Sequence, residues 1–283
     1  MTMDRTSDPQ AVTTSHIHTD LRRHPGFPSE FLSEPRDLIV YVPPGYDQDV
    51  DRRYPVLYLH DGQNLFEGAT AFVPGQDWHV GDTAQELMAA DVIEPLIIVG
   101  VYNTGEHRVY EYTPTWDRKH RAGGDAARYG RMLTDELKPF IDRTYRTLMD
   151  PVNTGLGGSS LGGLATLYLG LRHPEVFGKL AVLSPSVWWD NRAILKLVRM
   201  TDPKPRLSIW LDIGTGEGGR TVRDARVLRD EMTRAGWVLG ADLQYTEIRD
   251  AGHNEAAWAS RVGPFLKYLF PRRPQASGLR EQS

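Results

Sequence analysis

Short apolar runs alternate with stretches of helical spacing from residue 37 onward. The predicted strands are Asp37–Val42, Val56–His60, Leu96–Tyr102, Thr154–Gly157, Leu180–Ser184, Leu207–Ile213 and Leu243–Ile248. Several are continuous β-branched or leucine runs, which is typical of strands that are buried on both faces. Helices are predicted near 79–90, 127–142, 161–172, 191–200, 221–235 and 255–269. This alternation predicts an α/β fold with a mostly parallel, doubly wound central sheet flanked by helices.

The chain shows no interior linker and no internal repeat, so one domain accounts for most of its 283 residues. We place that domain at residues 35–270. Residues 1–34 are predicted to be an N-terminal extension, and the polar residues 271–283 a flexible C-terminal tail.

The segment Gly158-Ser159-Ser160-Leu161-Gly162 lies between a predicted strand and a predicted helix. A G-x-S-x-G segment in that setting is the nucleophile elbow of α/β-hydrolases, in which the serine occupies a sharp, strained turn. Such a turn needs small residues two positions before and after the serine. Gly158 and Gly162 meet this need around Ser160, whereas a frame centred on Ser159 would place Leu161 there. The alternative is a glycine-rich turn with an incidental serine.

A serine nucleophile needs a base, and in α/β-hydrolases both the acid and the histidine follow the serine in the chain. Two histidines follow Ser160. His173 lies at the end of the helix that Ser160 begins, which carries it away from the elbow. His253 lies in a loop after the last strand, at the carboxyl edge of the sheet where ligands bind. We therefore predict His253 as the base; the alternative is an ordinary loop histidine.

The acid should follow the preceding strand, which runs into a glycine-rich loop at 214–219. Glu217 lies in that loop, where the backbone can turn its carboxylate toward a histidine. Asp212, inside the strand pattern and better placed to bond backbone amides, and Asp224, inside the next helix, remain alternatives.

An oxyanion hole needs backbone N–H groups directed at the developing negative charge. The residue after the nucleophile, Leu161, should supply one of them. The other should come from the loop after an early central strand, where Gly62 permits a tight turn that exposes the N–H of Gln63. The alternative is a simple Asp-Gly turn.

Composition excludes several classes of function. The formal net charge of −4 gives no basic field for nucleic acid, and the absence of cysteine excludes a disulfide framework and a cysteine nucleophile. No apolar run approaches a membrane span and no signal peptide is visible, so we expect a cytoplasmic protein without membrane association. His16 and His18 form an isolated pair, and we predict no metal and no cofactor.

Four segments together resemble the esterase D/antigen 85-like group of α/β-hydrolases, which includes enterochelin esterase-type enzymes and carbohydrate esterases. They are 54–66 (Tyr-Pro-Val-Leu-Tyr-Leu-His-Asp-Gly-Gln-Asn-Leu-Phe), 158–163, 183–190 (Leu-Ser-Pro-Ser-Val-Trp-Trp-Asp) and 252–258 (Gly-His-Asn-Glu-Ala-Ala-Trp). The resemblance covers roughly residues 35–270. It implies a Ser160–Glu217–His253 triad, with Gln63 and Leu161 as oxyanion donors.

The resemblance implies a serine carboxylic ester hydrolase that works through an acyl-enzyme, but it does not choose the substrate. Four loop residues are predicted to line the cleft: Trp78, Arg108, Tyr112 and Trp188. The alternatives are that the aromatic residues pack in the core and that Arg108 pairs with Glu106 or Glu111. Aromatic walls suit sugars or aryl acyl groups. We therefore expect acetyl or aryl esters of sugars, or similar small esters, as substrates. A siderophore trilactone, acyl transfer to a sugar hydroxyl, and a catalytically inactive binding protein are the alternatives.

Overall fold

A computed structural model of the protein describes residues 20–272. The strands are β1 (Leu21–Phe27), β2 (Arg36–Tyr41), β3 (Val56–His60), β4 (Ile97–Val101), β5 (Trp116–Asp117), β6 (Ala122–Gly123), β7 (Thr154–Ser159), β8 (Lys179–Leu183), β9 (Ser208–Gly214) and β10 (Leu243–Ile248). Eight of them form one sheet in the order β1-β2-β4-β3-β7-β8-β9-β10, and β5 pairs with β6. From β4 to β10 the neighbours are parallel, while β1 and β2 add to the sheet in antiparallel fashion.

The helices are α1 (Val80–Ala89), α2 (Arg108–Glu111), α3 (Ala126–Arg131), α4 (Lys138–Thr144), α5 (Leu161–Arg172), α6 (Trp189–Met200), α7 (Gly219–Arg234), α8 (Glu255–Ala259) and α9 (Val262–Leu269). A π-helical turn at Met132–Leu137 joins α3 to α4. Short 3-10 turns occupy Gly62–Asn64, Gly105–His107, Pro151–Asn153 and Thr215–Glu217.

Apolar side chains cover both faces of the sheet. One core contains residues of α3 to α7, and the other contains residues of α1 and α9. The central strand β7 is buried along its whole length, which is why its sequence is a run of small and apolar residues rather than an alternation. The predicted doubly wound sheet with flanking helices is confirmed.

The predicted N-terminal boundary is wrong, because the sheet begins at Leu21 and not after residue 34. Strand β1 is an edge strand with the sequence LRRHPGF and has no fully buried residue, so it carries no hydrophobic pattern to reveal it. The predicted C-terminal tail also starts too early, since Arg272 pairs with Asp91 and Glu94. Residues 1–19, including His16 and His18, and residues 273–283 lie outside the described part of the chain.

A buried ion pair connects helix α2 to strand β2. The guanidinium of Arg36 donates two hydrogen bonds to the Glu111 carboxylate, at 2.9 and 3.1 Å, and both side chains are almost completely buried. Helix α2, which contains Arg108, is thereby fixed to the sheet.

We predict that Glu111→Ala lowers the free energy of unfolding by about 3–5 kcal/mol, because it leaves the buried Arg36 without a counter-charge. Urea unfolding at pH 7 measures the change. The matched control is Asp47→Ala, which removes the partner of Arg22 in an exposed pair. It should cost less than about 1 kcal/mol. Equal losses in the two variants would contradict the prediction.

Candidate active site

Ser160 occupies the turn between β7 and α5, with φ 59° and ψ −120°, a conformation that is strained for a residue with a side chain. The turn requires close backbone approach on both sides. A Cβ atom at Gly158 would lie 2.9 Å from His60 Cδ2, and one at Gly163 would lie 2.7 Å from the Leu183 carbonyl oxygen. Gly162 has more room, with its nearest contact at 3.4 Å. The tight positions are therefore Gly158 and Gly163, rather than Gly158 and Gly162 as the sequence motif predicts.

The structure brings Ser160, His253 and Glu217 together in one hydrogen-bonded chain. His253 Nε2 lies 2.9 Å from Ser160 Oγ, and His253 Nδ1 lies 2.7 Å from Glu217 Oε2. Ser186 Oγ lies 3.4 Å from Ser160 Oγ on another side. His173 instead ends α5 and contacts Glu175, as its place in the sequence led us to expect.

The carboxylate of Glu217 is nearly inaccessible, with a side chain only 1% exposed. Burial raises its pKa, but hydrogen bonds from His253, the Ser184 hydroxyl and the Gly214 N–H outweigh burial, so the net pKa lies below the ordinary value. Glu217 therefore remains an anion beside the imidazole at neutral pH.

The two alternative acids have other partners. Asp212 is buried and accepts hydrogen bonds from the Ser184 N–H and from Arg261. Asp224 is also buried and pairs with Arg192. The expectation that Asp212 bonds a backbone amide at the sheet edge is confirmed.

The two predicted oxyanion donors lie in two different elements, the start of helix α5 and the 3-10 turn after β3. Leu161 is the first residue of the 12-residue helix α5, so its N–H belongs to the positive end of the helix. Gln63 lies in the 3-10 turn after β3 and lines the same cavity as Ser160. Its side-chain Oε1 accepts a hydrogen bond from the Asn103 N–H at 3.3 Å, which holds the turn in place.

Arg108 lines the cavity, but its partner is neither Glu106 nor Glu111 as considered from the sequence. Its Nε and Nη2 bind both oxygens of Asp61 at 2.7 and 2.8 Å. Burial raises the pKa of Asp61, but the Arg108 guanidinium outweighs that effect and the net pKa is lowered. This neutralised pair supports the turn that carries Gln63.

Trp78 and Tyr112 do not line the cleft, so these two predictions are wrong. Trp78 is 1% exposed and packs against the ring of Trp258, which in turn packs edge-on against His253. Tyr112 is fully buried, and its hydroxyl accepts a hydrogen bond from the Asp61 N–H. Both are supporting residues, because their large apolar rings stabilise loops at the sheet edge.

Ser160 and His253 open onto a cavity of about 770 Å³. Its lining residues are Asp61, Gln63, Asn64, Phe72, Val73, Asn103, Gly105, Glu106, Arg108, Ser159, Ser160, His253, Asn254, Glu255 and Trp258. Trp188 lies instead in the wall of a second cavity of about 460 Å³, together with charged residues of the β5–β6 hairpin and of α7. The predicted contact of Trp188 with the first cavity is therefore wrong.

Sequence reasoning missed four residues that contact these groups: Ser184, Ser186, Trp258 and Arg261. Three of them belong to the motifs quoted above, Ser184 and Ser186 in 183–190 and Trp258 in 252–258, and that membership was the available signal. Arg261 lies in a segment predicted to be plain helix, which gave no signal.

A serine in a strained turn between a strand and a helix, at the carboxyl edge of a doubly wound sheet, defines the protein as an α/β-hydrolase. Residues 29–268 match the model of the family described as "Putative esterase", so the chain belongs to that family. The protein is accordingly a carboxylic ester hydrolase, and the resemblance seen in the sequence is confirmed.

Two relatives with named activities match part of the chain. An endo-1,4-beta-xylanase/feruloyl esterase of Xylanibacter ruminicola is 32% identical over 197 residues, covering 68% of this chain and 24% of the relative. The ferri-bacillibactin esterase BesA of Bacillus subtilis is 30% identical over 158 residues, covering 50% of this chain and 51% of the relative. The solved structure of the BES protein from Bacillus cereus is 22% identical, has a TM-score of 0.70 and covers 94% of this chain and 99% of its own. That structural likeness supports the fold.

Within residues 20–272, no helix is long and apolar enough to cross a membrane. In the same part of the chain, no three His, Asp or Glu side chains come together in a way that could hold a metal ion.

His60 lies beneath the elbow, fully buried, with Nδ1 2.9 Å from the Tyr129 hydroxyl. Burial lowers its pKa to about 4. In the unfolded chain the pKa of a histidine is about 6.5. Between these two pKa values the unfolded state binds more protons than the folded state, so the free energy of unfolding falls as the pH is lowered.

We therefore predict that protonation of His60 in the unfolded state lowers the free energy of unfolding by about 2 kcal/mol between pH 7 and pH 5. Urea unfolding of the wild type and of His60→Gln at both pH values isolates this contribution, because glutamine does not titrate. The variant should lose about 2 kcal/mol less than the wild type over this interval. An identical loss in both proteins would show that His60 is not responsible.

Proposed function

We propose that the protein is a serine carboxylesterase in which Ser160 is the nucleophile, His253 the general base and Glu217 the acid that orients it. The observation that carries this proposal is the continuous hydrogen-bonded chain, 2.9 Å from serine to imidazole and 2.7 Å from imidazole to carboxylate. Of the three candidate acids, Glu217 is the one that contacts His253.

In the acylation step, Ser160 Oγ attacks the ester carbonyl carbon while His253 Nε2 takes the hydroxyl proton. The imidazolium then gives this proton to the leaving alkoxide, and an acyl-serine remains. In deacylation a water molecule replaces the alcohol: it loses a proton to His253, attacks the acyl carbon, and releases the acid as Ser160 regains its proton. Glu217 stabilises the imidazolium in both steps because it remains ionised.

The negative charge that develops on the carbonyl oxygen needs hydrogen-bond donors. We assign this role to the backbone N–H groups of Leu161 and Gln63. Each donor of this kind contributes roughly 3–4 kcal/mol to the stabilisation of the transition state. Helix α5 adds its positive end at the same place.

We predict that Ser160→Ala lowers kcat for p-nitrophenyl acetate by on the order of 10⁶ and leaves the urea unfolding midpoint close to that of the wild type. A fluorophosphonate probe should label the wild type and not the variant. The matched control is Ser159→Ala, which changes the neighbouring serine and should remain active. Residual activity of a few per cent in Ser160→Ala, or its labelling by the probe, would refute the assignment.

The lining of the first cavity favours a neutral ester. Phe72 is 81% exposed at its edge, and the side-chain amides of Gln63, Asn64, Asn103 and Asn254 offer polar groups without charge. The charge of the one guanidinium in the lining is matched by its bound carboxylate, and the further carboxylates Glu106 and Glu255 disfavour an anionic ester. An aryl or sugar ester would find an apolar surface and hydrogen-bonding groups here, so we propose acetyl or aryl esters of sugars as substrates.

A second observation favours a siderophore trilactone as the alternative substrate. Three cations in the wall of the second cavity have no ion pair with any residue in the described range: Arg118, Lys119 and Arg220. The same wall contains three aspartates, of which Asp117 pairs with His120 and Asp224 with Arg192, so Asp190 offsets one of the three cations. With Trp188 beside the remaining positive charge, this cavity would suit an anionic aromatic group. This cavity lies at the edge of the sheet that also carries the turn Thr215–Glu217, here called the acid turn.

We predict that kcat/KM for methyl ferulate or acetylated xylan exceeds that for a catecholate trilactone by at least about tenfold. Arg220→Ala should leave hydrolysis of methyl ferulate unchanged, because this residue lies outside the first cavity. A higher kcat/KM for the trilactone, lowered by Arg220→Ala, would establish the alternative. Parallel assays with trehalose, followed for an acyl-sugar product, would reveal transfer instead of hydrolysis.

A further inference from the structure

Arg261 is a buried arginine at a break between two helices. The sequence predicts one continuous helix over residues 255–269, but α8 ends at Ala259 and α9 begins at Val262. The break makes Arg261 the residue before the first turn of α9, and its side chain is 1% exposed. Because an arginine is almost never fully buried without partners, its contacts indicate its role.

The guanidinium of Arg261 joins three loops at the carboxyl edge of the sheet. Its Nη1 donates to Ser184 Oγ at 2.6 Å, after β8, and to Asp212 Oδ1 at 2.8 Å, on β9. Its Nη2 donates to Glu217 Oε1 at 3.3 Å and to the Gly252 carbonyl oxygen at 3.4 Å. Gly252 directly precedes His253 in the loop after β10, here called the histidine loop. One side chain therefore contacts both the acid turn and the histidine loop.

The two oxygens of Glu217 are used for different purposes. Oε1 accepts hydrogen bonds from the Ser184 hydroxyl at 2.5 Å, the Gly214 N–H at 2.8 Å and Arg261. Oε2 accepts a hydrogen bond from His253 Nδ1. Three donors on Oε1 fix the rotation of the carboxylate, so that Oε2 faces the imidazole.

Arg261 also balances charge. Asp212 and Glu217 are both buried carboxylates, and the guanidinium binds both of them. The indole N–H of Trp210 gives Asp212 a further donor, at 2.8 Å. Without the guanidinium, two carboxylates would share a desolvated region with no cation of their own, which favours protonation or displacement of one of them.

We propose that Arg261 is a positioning residue for the reaction, holding Glu217 in the orientation that serves His253 and tying the acid turn to the histidine loop. The inference rests on the proposed function, since it assigns Arg261 a role that is exerted through Glu217. It predicts that the kinetic effect of removing Arg261 depends on the presence of the Glu217 carboxylate.

The test is a double-mutant cycle with p-nitrophenyl acetate as the substrate. Arg261→Met in the wild-type background should lower kcat by about 10- to 100-fold, with KM changed less than about twofold, because the misplaced acid affects the transition state more than binding. In a Glu217→Gln background the same change should lower kcat by less than about threefold, because the orientation that Arg261 maintains no longer matters.

The matched control is Lys138→Met, which removes a mostly buried lysine and its ion pair with Asp142, away from the cavity of Ser160. It should lower the urea midpoint while kcat stays within about twofold of the wild type, which separates general destabilisation from a specific effect. Where Arg261→Met yields no folded protein, Arg261→Lys replaces it in the same cycle, since lysine keeps the charge but cannot reach all four acceptors.

Equal loss of kcat in both backgrounds, or a wild-type kcat in the Arg261 variant, would overturn the inference and leave the proposed function standing. A wild type that neither hydrolyses p-nitrophenyl acetate nor reacts with the fluorophosphonate probe would overturn the proposed function itself, and with it this inference. Coupling between Arg261 and Glu217 in an active enzyme supports the inference.

Discussion

The turn at Ser160 is the constraint on which the rest of the site depends. A residue with a side chain is held at positive φ because β7 and α5 are packed so closely that Gly158 and Gly163 cannot carry a Cβ atom without a clash. The strain is offset by burial of the strand and helix on either side. Every other group at the site, including the turn after β3 and the loop after β10, lies at the same carboxyl edge because the strands from β4 to β10 are parallel.

Much of this arrangement could be predicted from the sequence, because buried parallel strands and glycine-rich turns leave strong local patterns. Strand β10 and helix α5 have the predicted bounds, and the loop positions of Glu217 and His253 follow from their places after β9 and β10. The edge strand β1 could not be predicted, since it is half exposed and carries no alternation of apolar residues. A sequence pattern reports burial of a whole element and says little about an element held mainly by backbone hydrogen bonds.

The direction of individual side chains also could not be predicted from the sequence. Trp78 and Trp188 follow the expected elements, but the first is turned into the core against Trp258 and the second faces a different cavity. Arg108 lines the cavity of Ser160, but its partner is Asp61, which is distant in sequence and was not among the alternatives considered. Arg261 shows the same limit more strongly, since a single break in a helix converts an apparently ordinary surface position into a buried one.

The order of the site residues along the chain has a consequence for how the enzyme comes into being. In the proposed mechanism Ser160 is the nucleophile, Glu217 the acid and His253 the base, and Arg261 follows the histidine. Chain growth from the N-terminus therefore supplies Ser160 57 residues before Glu217 and 93 residues before His253. A nascent chain that ends before β10 would carry Ser160 without the proposed base, so acylation by the proposed mechanism could not begin. Under this mechanism, ester hydrolysis requires that strand β10 and the loop carrying His253 have joined the sheet, so activity would report assembly of the C-terminal part of the fold.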